Sequence, residues 1–422
     1  GRGGKVMIVS TLQDAGPGSL REAVEAKGKR IVVFAVAGTI HLQTKLSVKG
    51  DITLAGQTAP GDGVCIADQP VLLSGDNIIV RYLRFRMGDR YQQGGMVDGN
   101  GGDDALGGTK RKNIVIDHCS LSWSTDEILS VYAGDSSTLQ WNLMAEPLNY
   151  SYHFEQGDKD YEQHGYGGIW GGKHLSAHHN LFAHCNSRTP RFDGIRNSPE
   201  ENVDFRNNVI YNWGHNNVYA GEGGKYNIVN NYYKAGPDTK PTVNTRIVNP
   251  WNKPPIPFGR YYIEGNIVEG AINVNNDNWL GVTPEKASPA DKINMRVDNP
   301  FATVDIPTQS AREAYEAILQ WVGASYKRDT LDARILNDVQ QRKGKIIDVQ
   351  GGYAHGTAYD ITQKAWPALA TANSPADTDK DGMPDSWERS HGLNPASAAD
   401  ASLYTLNKWY TNVEVFMNSI LP

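Results

Sequence analysis

The stretch Glu201-Asn202-Val203-Asp204-Phe205-Arg206-Asn207-Asn208 and its echo Tyr226-Asn227-Ile228-Val229-Asn230-Asn231 decide the fold. Each is a polar lead-in, a short run in which apolar and polar residues alternate, and a closing Asn. Outward from this pair the phrase recurs as His174-Leu175-Ser176-Ala177-His178-His179-Asn180, Ser137-Thr138-Leu139-Gln140-Trp141-Asn142 and Lys112-Asn113-Ile114-Val115-Ile116. Asp76-Asn77-Ile78-Ile79-Val80 precedes these, and Tyr262-Ile263-Glu264-Gly265-Asn266 follows. Irregular self-similarity at roughly two to three dozen residues is the mark of stacked repeats. Between the strands lie Gly, Asn and Asp rather than amphipathic helices. That argues against alternating βα units and for an all-β solenoid whose short parallel strands stack into sheets. The closing Asn tolerates left-handed backbone and can hydrogen-bond to its copy in the next coil. A β-sandwich is the competing reading, but its strands would alternate more evenly and turn at shorter intervals.

The 422 residues carry 41 Lys and Arg against 47 Asp and Glu, a formal net charge of −6. Mild acidity without a basic stripe excludes an electrostatic nucleic-acid binder. No run reaches the ~18 apolar residues of a membrane span. An acidic protein acting on an acidic polymer needs a local cation, either Arg/Lys or a metal. The 44 glycines suit many tight turns rather than long helices. Cys65, Cys119 and Cys185 are odd in number and lack CxxC spacing, so buried thiols are expected rather than disulfides or zinc. The opening Gly1-Arg2-Gly3-Gly4 has neither initiator Met nor apolar leader, and reads as a processed or trimmed product whose export signal, if it had one, is gone. A secreted, cell-surface or periplasmic monomer is the expectation.

Ser19 to Ala26 reads as a short helix capping the N-terminal end, which a solenoid needs for solubility. Residues 270–310 are rich in Asn, Asp and Pro and read mostly as loop. Ala311-Arg312-Glu313-Ala314-Tyr315-Glu316-Ala317-Ile318-Leu319-Gln320-Trp321-Val322 has helical apolar spacing. The expected division is a coil over 1–310 and an extension of helices and loops over 311–422, packed back on the coil.

Within that extension, Asp377-Thr378-Asp379-Lys380-Asp381-Gly382-Met383-Pro384-Asp385-Ser386-Trp387-Glu388 matches the twelve-residue EF-hand-like calcium loop at every ligand position. Asp377, Asp379 and Asp381 offer carboxylates, Met383 its carbonyl, Asp385 a water-mediated contact and Glu388 a bidentate one. Gly382 supplies the sharp turn. No reactive constellation adjoins the loop, so its calcium is expected to be structural; a solvated acidic loop is the alternative.

Ala59-Pro60-Gly61-Asp62-Gly63, Asn113-Ile114-Val115-Ile116-Asp117-His118, Ser122-Trp123-Ser124-Thr125-Asp126-Glu127, His178-His179-Asn180 and Ser187-Arg188-Thr189-Pro190-Arg191 stand in one order. Together they resemble polysaccharide lyase family 1, the pectate and pectin lyases. Gly16-Pro17-Gly18-Ser19-Leu20-Arg21-Glu22-Ala23 and Ala55-Gly56-Gln57-Thr58-Ala59-Pro60-Gly61 look like the N-terminal coils of bacterial members. The likeness covers about residues 1–235. It implies a right-handed parallel β-helix and cleavage of polygalacturonate, the polymer of pectin, by calcium-assisted β-elimination. It further implies Asp104, thirteen positions before Asp117, and Asp126 as calcium ligands, with Glu127 the alternative in a shifted register. A third carboxylate is usual where Ser130 stands, which leaves substrate carboxylates to complete the oxygen shell. Arg188 takes the place of the catalytic base. Where the family has a further Arg this chain has Asp193, so substrate binding falls to Arg191. The family's substrate-binding Lys is also missing, and His164 or the offset Lys173 replaces it.

The chemistry needs these residue types. Elimination removes the C5 proton alpha to a carboxylate, a poor acid unless a hard cation draws charge from that carboxylate. Free arginine ionises above ~12, so the base must be held neutral, by nearby calcium and Arg191 and by alkaline pH. His118, His178, His179 and Asp117 lie within β-rich runs and read as structural. Two alternatives stay open. A pectin lyase on esterified chains would need no calcium and would favour aromatic residues such as Trp123, Tyr166 and Trp170. A polygalacturonase-like hydrolase would need a placed acid pair, whereas Asp103 and Asp104 on a strand face opposite ways.

Overall fold

The computed structural model describes residues 1–95, 103–154 and 162–421. Its strands pair in parallel around a coil of three faces. The first sheet runs from Lys5–Val9 and Arg30–Phe34 through Ile78–Arg81, Lys112–Asp117, Leu175–His178, Asn202–Arg206 and Lys225–Val229 to Arg260–Glu264. The second holds strands such as Arg84–Arg86, Ser120–Ser122, Leu143–Ala145, Leu181–Ala183 and Val209–Tyr211. The third holds Val71–Leu73, Leu106–Thr109, Ile169–Gly172, Arg191–Phe192 and Val218–Ala220. Leu129–Gln140 serves two sheets, pairing with Leu106–Thr109 in the third and Lys112–Asp117 in the first. This is a right-handed parallel β-helix. The repeated phrases of the sequence are its first sheet.

Alternation decides what fills the coil. Ile114, Ile116, Leu139, Ala177, Phe205, Ile228 and Ile263 point inward from successive first-sheet strands into one continuous core. Phe192, Tyr226 and Tyr261 stack in that core with ring centroids 4.5 and 5.0 Å apart. Cys65, Cys119 and Cys185 are buried free thiols.

The phrase-ending asparagines form a ladder. The backbone N–H of Asn142 donates to the side-chain oxygen of Asn180, and Asn180 to Asn208, at 3.0 Å each. Asn208 then donates to Asn231, Asn231 to Asn266 and Asn266 to Asn278 at 2.8–2.9 Å. Before the first four rungs the preceding residue is left-handed: Trp141, His179, Asn207 and Asn230, with φ of 52–56°. Outside it, Tyr82, His118, Trp141 and His179 stack as a second ladder. His118 and His179 are thus held by stacking on their neighbours in adjacent coils.

Leu20–Glu25 is the capping helix, its Glu22 N–H donating to Ser19 at 3.2 Å. Buried Arg30 collects the carbonyls of Ala23, Val24, Gly28 and Gly50 at 2.6–2.8 Å, satisfying that helix's C-terminus. Residues 270–310 are mostly irregular, but include the helices Ile272–Asn276 and Pro289–Met295.

Ala311–Trp321 is helical as read, and Thr330–Gln341 adds a second helix. Their Ile318, Ile335 and Val339 bury against Leu143, Leu181, Val209 and Tyr211 of the second sheet. Beneath them, Arg86 is fully buried and bonds Asp329 and Asp332. The end of the chain turns to the first coils: Met383, Val413, Phe416 and Met417 pack on Ile31, Val33 and Ala55. No helix among the described residues is long and apolar enough to cross a membrane.

Candidate active site

The site grows from the N-terminal edge of the third sheet. Single parallel bridges join Glu127 to Tyr166 and Tyr166 to Ser187, so three coils present their residues side by side. Arg188 follows Ser187 with φ of 58°, a left-handed backbone that non-glycine residues avoid. Its guanidinium lies 3.8 Å from the centre of the Tyr166 ring and is ion-paired with Glu127. Its Nε is buried without a hydrogen-bond partner.

Glu127 neighbours two aspartates. Ligand oxygens of Asp104, Asp126 and Glu127 lie within 4.8 Å of one another. The Glu127 N–H donates to Asp104 Oδ1 at 3.2 Å. Burial, reinforced by the charge of Asp126, holds the Asp104 carboxyl well above the usual range. Such a group of carboxylates fits a hard cation with oxygen ligands. Ser130, in the place of the missing third carboxylate, hydrogen-bonds Asp104 and accepts from the Ile169 N–H at 3.1 Å. It steadies Asp104.

Asp103 and Asp104 precede the strand Leu106–Thr109 rather than lying on it, so strand alternation does not govern them, and both adjoin this cluster. Asp103 Oδ2 lies 3.0 Å from His153 Nδ1, while His153 Nε2 faces Asp126 Oδ2 at 3.4 Å. His164 Nε2 faces Asp126 Oδ1 at 3.8 Å, and its ring packs on Tyr166 with centroids 4.9 Å apart. Burial works against a charged His153, but the Asp103 hydrogen bond and the charges around it prevail and raise its pKa. Burial dominates at His164 and lowers it, against the pull of Asp126. His153 carries no repeat phrase and no motif, and sequence reasoning missed it.

The other substrate candidates lie elsewhere on the same sheet. Arg191 is ion-paired with buried Glu222 at 3.2 Å and donates to the carbonyls of Phe192 and Asp193. Burial raises the carboxyl of Asp193, its neighbour. Lys173 follows the strand Ile169–Gly172 and pairs with exposed Glu200 at 2.7 Å. A cavity of about 730 Å³, lined by Trp123, Glu146, Arg334 and Asp338, lies between the extension and the coil. None of the Arg188 group lines it.

Comparison places this arrangement. Over its full length the chain is 33% identical to probable pectate lyase C of Aspergillus flavus, covering 91% of that protein. The Aspergillus oryzae protein of the same name matches equally, and that of Emericella nidulans at 32% over 90% of its length. The chain belongs to the pectate lyase family. These relatives are fungal, whereas the opening phrases resemble bacterial members; the family stands on the whole chain. No family model matches the sequence. The crystal structure of jun a 1, the major allergen from cedar pollen, shares the β-helix with a TM-score of 0.50 at 13% identity, over 76% of this chain and 90% of that one. The pectate lyase resemblance rests on residues 1–235, and the relatives carry it through the extension.

The C-terminal loop is built around uncompensated oxygens. Asp377, Asp379 and Asp381 group together, and Asp381 groups with Glu388 and with Asp400, which lies outside the twelve-residue pattern. Glu388 is fully buried, and neither its two carboxylate oxygens nor the two of Asp379 have a hydrogen-bond partner. Burial and the neighbouring acids push Asp381 up to about 8 and Glu388 to about 7. Asp377 instead accepts from the N–H groups of Asp381 and Gly382. Asp385 accepts from Thr378 at 2.7 and 2.8 Å, and the Met383 side chain is buried in the core.

Proposed function

We propose that the protein is a secreted pectate lyase that cleaves α-1,4-linked polygalacturonate by β-elimination, giving unsaturated oligogalacturonides. One observation carries the reading: Arg188 lies against the acidic group of Asp104, Asp126 and Glu127, in a coil whose curated relatives are pectate lyases. Asp104 and Asp126 are the carboxylates suited to hold calcium, since Glu127 is engaged by Arg188. Held there, calcium would supply an electrophile for the uronate carboxylate, which would make the C5 proton easier to remove.

The chain's own residues do the rest. Arg188, once its pair with Glu127 has opened and its guanidinium has given up a proton at alkaline pH, accepts the C5 proton; the electron pair forms the C4–C5 double bond and the C4–O4 bond breaks, the leaving oxygen taking a proton from solvent. The Tyr166 ring beneath it excludes water and fixes the guanidine plane. Arg191, one strand on, meets a neighbouring uronate carboxylate in exchange for Glu222. Of the two replacements for the missing Lys, His164 stands beside Asp126 and Tyr166, whereas Lys173 is held by Glu200. Asp377, Asp379, Asp381 and Glu388 hold a structural calcium in the extension, which we divide from the coil at residue 310. The enzyme acts as a monomer on a polymer outside the cell.

The test is polygalacturonate with and without a chelator, following ultraviolet absorbance of the unsaturated uronate and reducing ends together. Absorbance that rises with reducing ends and stops on chelation is expected. Reducing ends without absorbance would mean hydrolysis, and absorbance surviving thorough chelation would remove calcium from the mechanism.

A further inference from the structure

Beside the carboxylate cluster is a group of a different chemical kind. Asp126, His153 and His164 are all buried, and their ligand atoms lie within 4.8 Å of one another. The backbone fixes both histidines. The Ser151 hydroxyl donates to the Thr125 carbonyl at 2.6 Å and accepts from the His153 N–H at 3.3 Å. The His164 N–H donates to the Asn149 carbonyl at 2.6 Å, and its own carbonyl accepts from Asn186 at 3.3 Å.

The orientation of His153 is informative. Asp103 accepts at Nδ1, so in the neutral ring Nδ1 carries the hydrogen and Nε2 presents a lone pair. That lone pair faces Asp126 Oδ2 at 3.4 Å, and Asp126 Oδ1 faces His164 Nε2 at 3.8 Å. A single cation among these three side chains, either a proton on His153 or a metal ion, satisfies the Asp126 carboxylate and the His153 nitrogen together. A carboxylate behind the far nitrogen of a histidine is also the usual support of a metal-binding imidazole, fixing its tautomer and strengthening it as a ligand.

We propose that Asp126, His153 and His164 bind a first-row divalent transition ion, with Asp103 orienting His153, in addition to the calcium held through Asp104 and Asp126. Two imidazoles and one carboxylate are a poor shell for calcium, which takes oxygen, and a good one for Mn²⁺, Co²⁺, Ni²⁺ or Zn²⁺. Asp126 is the shared member of both groups. The contact of His164 with Tyr166, on which Arg188 lies, sets this group beside the Arg188 pair. This assigns His164 to the metal rather than directly to the sugar.

The test uses the full chain, stripped of metal and returned to excess Ca²⁺ so that oxygen sites are filled, then titrated with Co²⁺ and followed by its visible absorption. One Co²⁺ per chain that excess Ca²⁺ does not displace is expected. His153→Gln and His164→Gln should each abolish it, and Asp103→Asn should weaken it by roughly 10–100-fold. Thermal transitions in Ca²⁺ buffer report whether each variant folds. Should they fail to fold, pulsed electron resonance of wild-type protein with Mn²⁺ must show coupling to imidazole nitrogen. Absence of calcium-resistant Co²⁺, its persistence in the double variant, or no nitrogen coupling would overturn the proposal; the first is also what a protonated His153 bridging Asp103 and Asp126 would give. Substrate is absent throughout, so failure here leaves the elimination reading standing, and the converse holds.

Discussion

At the scale of single residues the site depends on a few groups whose charges are not balanced by the protein alone. Asp126 serves both the oxygen cluster and the two histidines, so it is the least replaceable carboxylate. Asp126→Asn should lower kcat/KM by roughly 10²–10³-fold, the cost of removing one electrostatic stabiliser from a transition state. Steady-state assays across a Ca²⁺ series would show the loss only partly restored by more calcium. Arg188 and Asp126 could be proposed because each sits in a phrase of fixed order, and Asp104 by its spacing of thirteen residues before Asp117. Glu127 was legible only as an alternative calcium ligand; its pairing with Arg188 depends on coils that sequence does not align. His153 was not legible at all, because it gains meaning only from Asp103, fifty residues earlier. Nor did the pattern reveal Asp400, which joins the acidic loop of the extension from beyond its twelfth position.

At the scale of elements, the asparagine ladder holds successive coils in register. Each rung both accepts from the previous coil and donates into the next: Asn208 accepts from Asn180 and donates its N–H to Asn231. Asn208→Ala leaves buried backbone and side-chain groups unpaired and should cost about 1–3 kcal/mol or more in denaturant unfolding, against little for exposed Asn418→Ala. The ladder and the first sheet were legible because several of their strands run to five or six residues with clear alternation. Apart from Leu129–Gln140, which the third sheet shares with the first, strands of the other two sheets are shorter, as in Ser120–Ser122, Leu181–Ala183 and Arg191–Phe192, too short for periodicity to speak. The loop of the extension gives a pH prediction. In the cation-free fold Asp381 and Glu388 hold protons up to about 8 and 7, whereas the unfolded chain releases them in the ordinary carboxylate range. The folded state therefore binds more protons, and stability falls as pH rises through that window. Chelation should lower the melting temperature more at about pH 8 than at about pH 5, and Glu388→Gln should shrink the difference.

At the scale of the whole molecule, the extension is fastened to the coil by buried charge as well as apolar contact. Asp332 accepts from Arg86 at 2.9 Å and lies beside Ser120, all at positions closed to solvent. Removing one member of a buried pair is costly, so Asp332→Ala should destabilise by about 3–5 kcal/mol, whereas an exposed pair such as Lys173–Glu200 contributes little. Calorimetry would separate the two. The helix over 311–321 could be read from its apolar stripe, but the docking of the next helix, Thr330–Gln341, could not, since Arg86 meets its Asp332 across 246 residues of chain. The central claim remains that Arg188 takes the proton. The most direct measurement is the initial rate of unsaturated-uronate absorbance for wild type and Arg188→Ala, at saturating polygalacturonate and calcium, with substrate affinity measured separately. A kcat loss of roughly 10²–10⁴-fold with affinity and thermal transition preserved is the predicted result. Normal turnover by Arg188→Ala would contradict it.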